Sequence, residues 1–219
     1  MNDKPDQVGP RAARERAVAI DELVARASAV QRVAASAGWT YVGDGQPATG
    51  LAARMGYRIS NMCAGVERGE PFTSFDVLQV FPEVLPSGAR GPGEELGDQQ
   101  TVGQMGFPAG FRLTVMPAAT GTDLFIRTGH KVVLESADFD ARFQVYCDDQ
   151  VLARMVLNPE VMSLLLQAPF DVSLILQKNL LQVSSPRSLV PPDSLQPFVA
   201  VTASIRESAI SAAGYSARS

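Results

Sequence analysis

Histidine is almost missing from this chain: His130 is the only one among 219 residues. A histidine-rich zinc site is therefore excluded, and any Ser-His-Asp arrangement would have to use His130, which follows Gly129 at what reads as a turn or strand edge. Cysteine is nearly as scarce. Cys63 and Cys147 are far apart and have no CxxC spacing, so they read as two buried thiols and make no disulfide framework. Positive charge is not concentrated anywhere: 19 Lys and Arg stand against 23 Asp and Glu, for a net charge of −4. A general nucleic-acid binder needs a basic block facing phosphates, and none is present. No apolar run approaches the ~20 residues needed to span a bilayer, and the polar start MNDKPDQVGP lacks the core of a secretion signal. The expected location is the cytoplasm, with peripheral membrane contact left open. GxGxxG, GxxxxGK[ST] and GxSxG are all absent, so phosphate cradles and a nucleophile elbow have no motif behind them.

What is present is a substantial apolar content, 46% of residues, enough for one core. From Ala12 to Ala37 the residues Ile20, Leu23, Val24, Ala27, Val30, Val33, Ala34 and Ala37 recur at helical intervals. Arg11, Arg14, Arg26 and Arg32 are assigned to the other face. Gly38 suits the left-handed C-cap position. Trp39, Tyr41 and Val42 form a strand candidate, and Leu51 to Met55 a short helix or turn. Tyr57 to Val66 and Phe72 to Gln79 then make a hairpin turning at Glu67–Glu70. Its odd-numbered side (Thr73, Phe75, Val77, Gln79) is expected to be the better buried. Residues 82–110, rich in Gly, Pro, Glu and Gln, read as a long exposed loop.

Strand character returns at Phe111, Leu113 and Val115, and again in a hairpin turning at Thr128-Gly129. The stretch ESADFDARFQVYCDD, residues 135–149, is the most acidic in the chain. Phe143, Val145 and Cys147 alternate with Gln144 and Tyr146 as a half-buried strand would. Asp148 or Asp149 can cap a helix from Gln150 to Leu157, with Val151, Leu152, Met155 and Val156 on its buried side. Asn158 and Pro159 open a second helix with Val161, Met162, Leu165 and Leu166 inward. Two strands meeting near Gln177–Asn179 and a closing helix after Pro192 complete the chain.

Asp138, Asp140, Asp148 and Asp149 are the candidate ligands for a hard divalent cation. They lack the alternation and central Gly of an EF-hand, and a straight strand over 141–147 would set the two acidic ends about 20 Å apart. Turn formation and capping are the simpler roles.

Residues 134–166 resemble the signature of the DUF3137 family, bacterial proteins of unknown function. The resemblance is carried by Glu135-Ser136, Phe139, Arg142-Phe143, Val145, Asp148-Asp149, Ala153, Leu157, Pro159, Met162 and Leu164-Leu165. AASAGWTYVGD and GVERGEPFTSFDV extend it over residues 33–183. Similar proteins often place hydrophobic membrane segments beside this domain, and the family brings no catalytic residues. The expectation is an α+β protein with an antiparallel sheet, packed helices and an amphipathic amino-terminal helix. Its parts are a tail and helix over 1–37, one domain over 38–212, and a frayed end over 213–219. The expected role is a non-enzymatic interaction or scaffold module that needs no cofactor. Its partner would be a protein or a second copy of itself, and the alternative is a metal-assisted hydrolase built on the acidic cluster.

Overall fold

The computed structural model describes residues 10–45, 57–84, 90–108, 111–118, 129–177, 179–186 and 189–212. It is a mixed α+β fold in two layers. Nine strands form one sheet in the order β1-β2-β3-β4-β9-β8-β5-β7-β6, and every pairing in it is antiparallel. The strands are β1 (Thr40–Gly45), β2 (Tyr57–Glu67), β3 (Glu70–Val84), β4 (Arg90–Gly106), β5 (Leu113–Pro117), β6 (His130–Val132), β7 (Phe143–Cys147), β8 (Ser173–Gln177) and β9 (Leu180–Ser185). The helices are α1 (Pro10–Ala37), α2 (Ala137–Arg142), α3 (Gln150–Val156), α4 (Pro159–Gln167) and α5 (Leu195–Ala212), with a 3₁₀ turn at Pro192–Ser194 before the last.

The helices pack on one face of the sheet, because one alternation along its strands is apolar. Phe72, Met105, Leu181, Val183, Leu174, Leu113, Val115, Val145 and Cys147 point to that face and are nearly inaccessible to water. They meet Val30 and Ala34 of α1, Phe139 of α2, Ala153 and Val156 of α3, Val161 and Leu165 of α4, and Phe198 and Ile205 of α5 in one core. On the opposite face Ile59, Phe75 and Val102 form a second, smaller cluster with Met62 and Val77 against it.

Local chemistry explains where the elements begin and end. At the close of α1 the Trp39 amide donates to the Ala34 carbonyl (2.8 Å) and the Gly38 amide to Ala35 (3.3 Å), with Gly38 at φ 72°. That pair of bonds is a Schellman closure, as the glycine predicts. It turns Trp39 onto Phe72, edge to face at 4.8 Å between centroids. The β2–β3 turn holds Arg68 at φ 52° and Gly69 at φ 80°, the two positive values of a type I′ hairpin. Asp149 caps α3 by accepting from the Val151 and Leu152 amides, and Asn158 caps α4 by accepting from Val161. The Asn158 amide also reaches the Ser208 hydroxyl of α5 (3.0 Å), which donates to Glu160 (2.7 Å), so one capping residue ties two helices together.

Three expectations are corrected. Residues 82–110 are largely strand: β3 runs to Val84 and β4 starts at Arg90. Gly91, Pro92, Gly93 and Gly97 weaken the local strand signal, and pairing with β3 supplies what local propensity lacks. The better-buried side of β3 is the even-numbered one, with Phe72, Ser74, Asp76 and Leu78 each at most 4% exposed, while Thr73 and Val77 are partly exposed. In α3 the inward residues are Ala153 and Val156; Val151 and Met155 are exposed. Helix α1 packs on the domain, with Val30 and Ala34 in the main core. The candidate helix or turn at Leu51–Met55, the Thr128 half of the second turn and the end over 213–219 lie outside the described residues.

Candidate functional site

The acidic residues singled out by the sequence flank β7 and are held apart by it. Asp138 and Asp140 lie on α2, before the strand, and Asp148 and Asp149 follow it. Five residues of extended chain separate the two groups, about 17 Å. Each of three carboxylates has a backbone partner. Asp140 accepts from the Leu134 amide (3.1 Å), Asp148 from the Arg112 amide (3.0 Å), and Asp149 caps α3. Asp138 is exposed in the first turn of α2, a favourable place for negative charge. Among the described residues, no three His, Cys, Asp or Glu side chains are grouped so as to hold a metal ion. His130 is exposed on β6, the edge strand.

The densest polar constellation lies elsewhere, under α1. The Arg26 guanidinium grips Asp76 with two parallel bonds, Nε to Oδ2 at 2.7 Å and Nη2 to Oδ1 at 2.8 Å. Both side chains are withdrawn from water, at 11% and 3% exposure. The third guanidinium nitrogen donates to the Val190 carbonyl (2.9 Å), and the Val190 amide donates to the Thr101 hydroxyl (3.0 Å). Thr101 in turn donates to Asp76 (2.8 Å), as does the Asn61 side-chain amide (2.8 Å). The Tyr41 hydroxyl closes the set on Asn61 (3.2 Å). Asn61 reaches inward because the chain bulges there: its φ is 54° and the β2–β3 register slips between Ser60 and Cys63.

This cluster joins α1, four strands and the segment before α5, and its carboxylate is fully occupied by donors. Such an arrangement fixes one packing of the helix on the sheet. Its charge acts on its neighbours. Burial, with the Asp76 charge adding to it, pushes the Cys63 thiol up to about 11. Tyr41 is raised by burial first and then by Asp44, Cys63 and Asp76. Cys147 is also raised by burial, against the lowering effect of the Asp149 amide, which donates to its sulfur at 3.4 Å. Neither thiol is a nucleophile near neutrality.

Sequence reasoning missed this constellation by putting Arg26 on the outer face of α1. The signal was there: Arg26 stands three residues after Leu23 and four before Val30, which is the packing stripe itself. An arginine on that stripe demands an acid opposite, and Asp76 on the inward side of β3 is that acid.

A second feature is concave. A cleft of about 290 Å³ opens between the β2–β3 turn and the last turns of α5, with Met105, Ala203 and Ile210 among its lining. Arg68 pairs with Glu207 at 2.8 Å, and Arg206 pairs with Glu70 at 3.1 Å while donating to the Gly106 carbonyl at 2.6 Å.

A helical layer on one face of a wholly antiparallel nine-stranded sheet is the class this structure defines. The family model described as "Protein of unknown function (DUF3137)" matches residues 113–207, from the start of β5 into α5, and leaves α1 and β1–β4 outside the match. The structure is similar to the crystal structure of the mycobacterial trehalose monomycolate transport factor A, TtfA. The TM-score is 0.60 at 13% identity, over 85% of this chain and 94% of that one. At that identity the likeness is one of fold. No curated protein matches the sequence. Among the described residues no helix is long and apolar enough to cross a membrane.

Proposed function

We propose that this chain is a cytoplasmic, non-enzymatic interaction or scaffold module that associates through the outer half of the β3–β4 hairpin, with a second copy of itself as partner. The observation that carries this reading is the unequal length of neighbouring strands. β3 and β4 pair from Phe72–Met105 out to Val84–Arg90. β2 accompanies β3 only as far as Gln79, and β9 accompanies β4 only as far as Thr101. Beyond those points, among the described residues, the hairpin is a two-stranded ribbon with both edges unpaired. An isolated two-stranded ribbon is marginal in water, and unpaired edges are templates for another strand. Antiparallel addition of an edge to its own copy is compatible with a two-fold axis, the commonest symmetry of protein assemblies. Pro82 and Pro92 each remove a backbone donor, which limits how far such pairing extends.

The likeness in fold to a protein described as a transport factor is in keeping with an accessory role. The test is light-scattering mass after size exclusion, on the full chain and on a variant in which residues 80–96 are replaced by an Asn-Gly turn. A defined oligomer that becomes a monomer on trimming supports the proposal. A monomer in both overturns it.

A further inference from the structure

The cleft between the β2–β3 turn and α5 is electrostatically unfinished. Its lining carries Glu67, Glu70 and Glu207 against Arg68 and Arg206, a net charge of −1. Both arginines are committed: Arg206 is held by Glu70 and the Gly106 carbonyl, and Arg68 by Glu207. Glu67 is left, among the described residues, with no cationic partner. It also faces Glu70 directly, because the two are register partners across the hairpin, and like charges opposite each other repel. Both lie on the α5 side of the sheet, as the inward position of Phe72 on the same alternation requires. The cleft reaches Ile210 and Ser211 in the last turn of α5, where the aligned peptide dipoles present their negative end and, among the described residues, that turn holds no basic residue. Between the charges the floor is apolar, with Met105 and Ala203 buried beneath it and Ile210 beside them.

We propose that this cleft binds an alkylammonium or alkylguanidinium group, whose charge sits at Glu67 and whose aliphatic stem lies over Met105, Ala203 and Ile210. The group has two possible sources, a free small amine or a lysine or arginine side chain of another protein. The volume suits a single such side chain. This goes beyond the association through the ribbon and does not depend on it.

The test is a methyl NMR titration of the full chain with n-butylammonium chloride, and separately with an end-blocked tripeptide carrying a central arginine. n-Butanol and sodium butyrate serve as controls. The inference predicts saturable shifts at Met105, Ala203 and Ile210 for at least one of the two cations and for neither control. Response to both cations admits a free amine as the natural ligand, and response to the peptide alone points to a partner's side chain. Glu67→Gln is expected to weaken binding about fivefold to tenfold, as loss of one charge-assisted contact does. Its urea midpoint should be unchanged or higher, since the change removes a repulsion. No localised shift with either cation overturns the inference, as do equal shifts with butanol or undiminished binding in Glu67→Gln.

Discussion

At the scale of the residue, the seating of α1 on the sheet turns on Asp76. A carboxylate at 3% exposure is tolerated because Arg26, Thr101 and Asn61 together satisfy it. Removing one partner of a buried pair leaves the other charged and dry, which costs about 3–5 kcal/mol. Asp76→Ala is therefore expected to lower unfolding free energy by that amount in urea denaturation, and Arg26→Ala similarly. The double variant should cost well under the sum, since neither charge is then stranded; full additivity would show that the two do not act as a pair. Burial, with the Asp76 charge adding to it, sets a pH dependence through Cys63. That thiol is raised in the folded state, from 9.0 to about 11, so its neutral form favours folding. The contribution is whole below about pH 9 and is lost as pH rises through about 11, and Tyr41, raised as well, acts in the same direction. Denaturation midpoints should hold from pH 7 to 8.5 and fall from 9 to 11, with a smaller fall in Cys63→Ala. An aromatic disulfide reagent at pH 8 should label Cys63 at the rate of unfolding, not faster.

At the scale of the element, what the sequence revealed and what it concealed divide by range. Gly38, the 67–70 turn, Asp149 and Asn158 were legible because each acts on backbone within a few residues of itself. The α4 face was legible too, as Val161 and Leu165 repeat at helical spacing. β4 was not, because its glycines and prolines are tolerated only through pairing with β3. Nor was α2, a helix of six residues whose cap, Ser136, reads equally as a turn. Val151 and Met155 looked inward by hydropathy, yet Ala153 fits the tighter approach of α3 to the core. The capping assignment predicts that Asp149→Ala costs about 1 kcal/mol, with Asn in its place restoring most of it. For α1, the boundary matters. A chain lacking residues 1–20 keeps Arg26, Val30 and Ala34 and should unfold cooperatively. One lacking 1–37 strands Asp76 and uncovers Cys63 and Phe72, and should not yield a folded monomer by near-ultraviolet circular dichroism.

At the scale of the whole molecule, the structure is a sheet whose longest hairpin outruns its neighbouring strands, with helices on one face and α1 tied to that face by a buried ion pair. Around β7, Asp140, Asp148 and Asp149 make capping and turn contacts, and the two proposals rest on the ribbon edges and the cleft beside α5. Neither was legible in the chain itself, because strand length relative to neighbours and a cleft between distant segments are both products of topology. The proposed association makes the ribbon the least stable part of an isolated copy and a protected part of an assembled one. Hydrogen exchange at the amides of Val80, Phe81, Glu83 and Val84 and of residues 93–96, measured over a hundredfold range of protein concentration, tests this most directly. The account predicts exchange near the unstructured rate at the dilute end and protection that grows with concentration at these amides, while those of β5 and β7 stay constant. Exchange at the ribbon that is independent of concentration, at any level of protection, would contradict it.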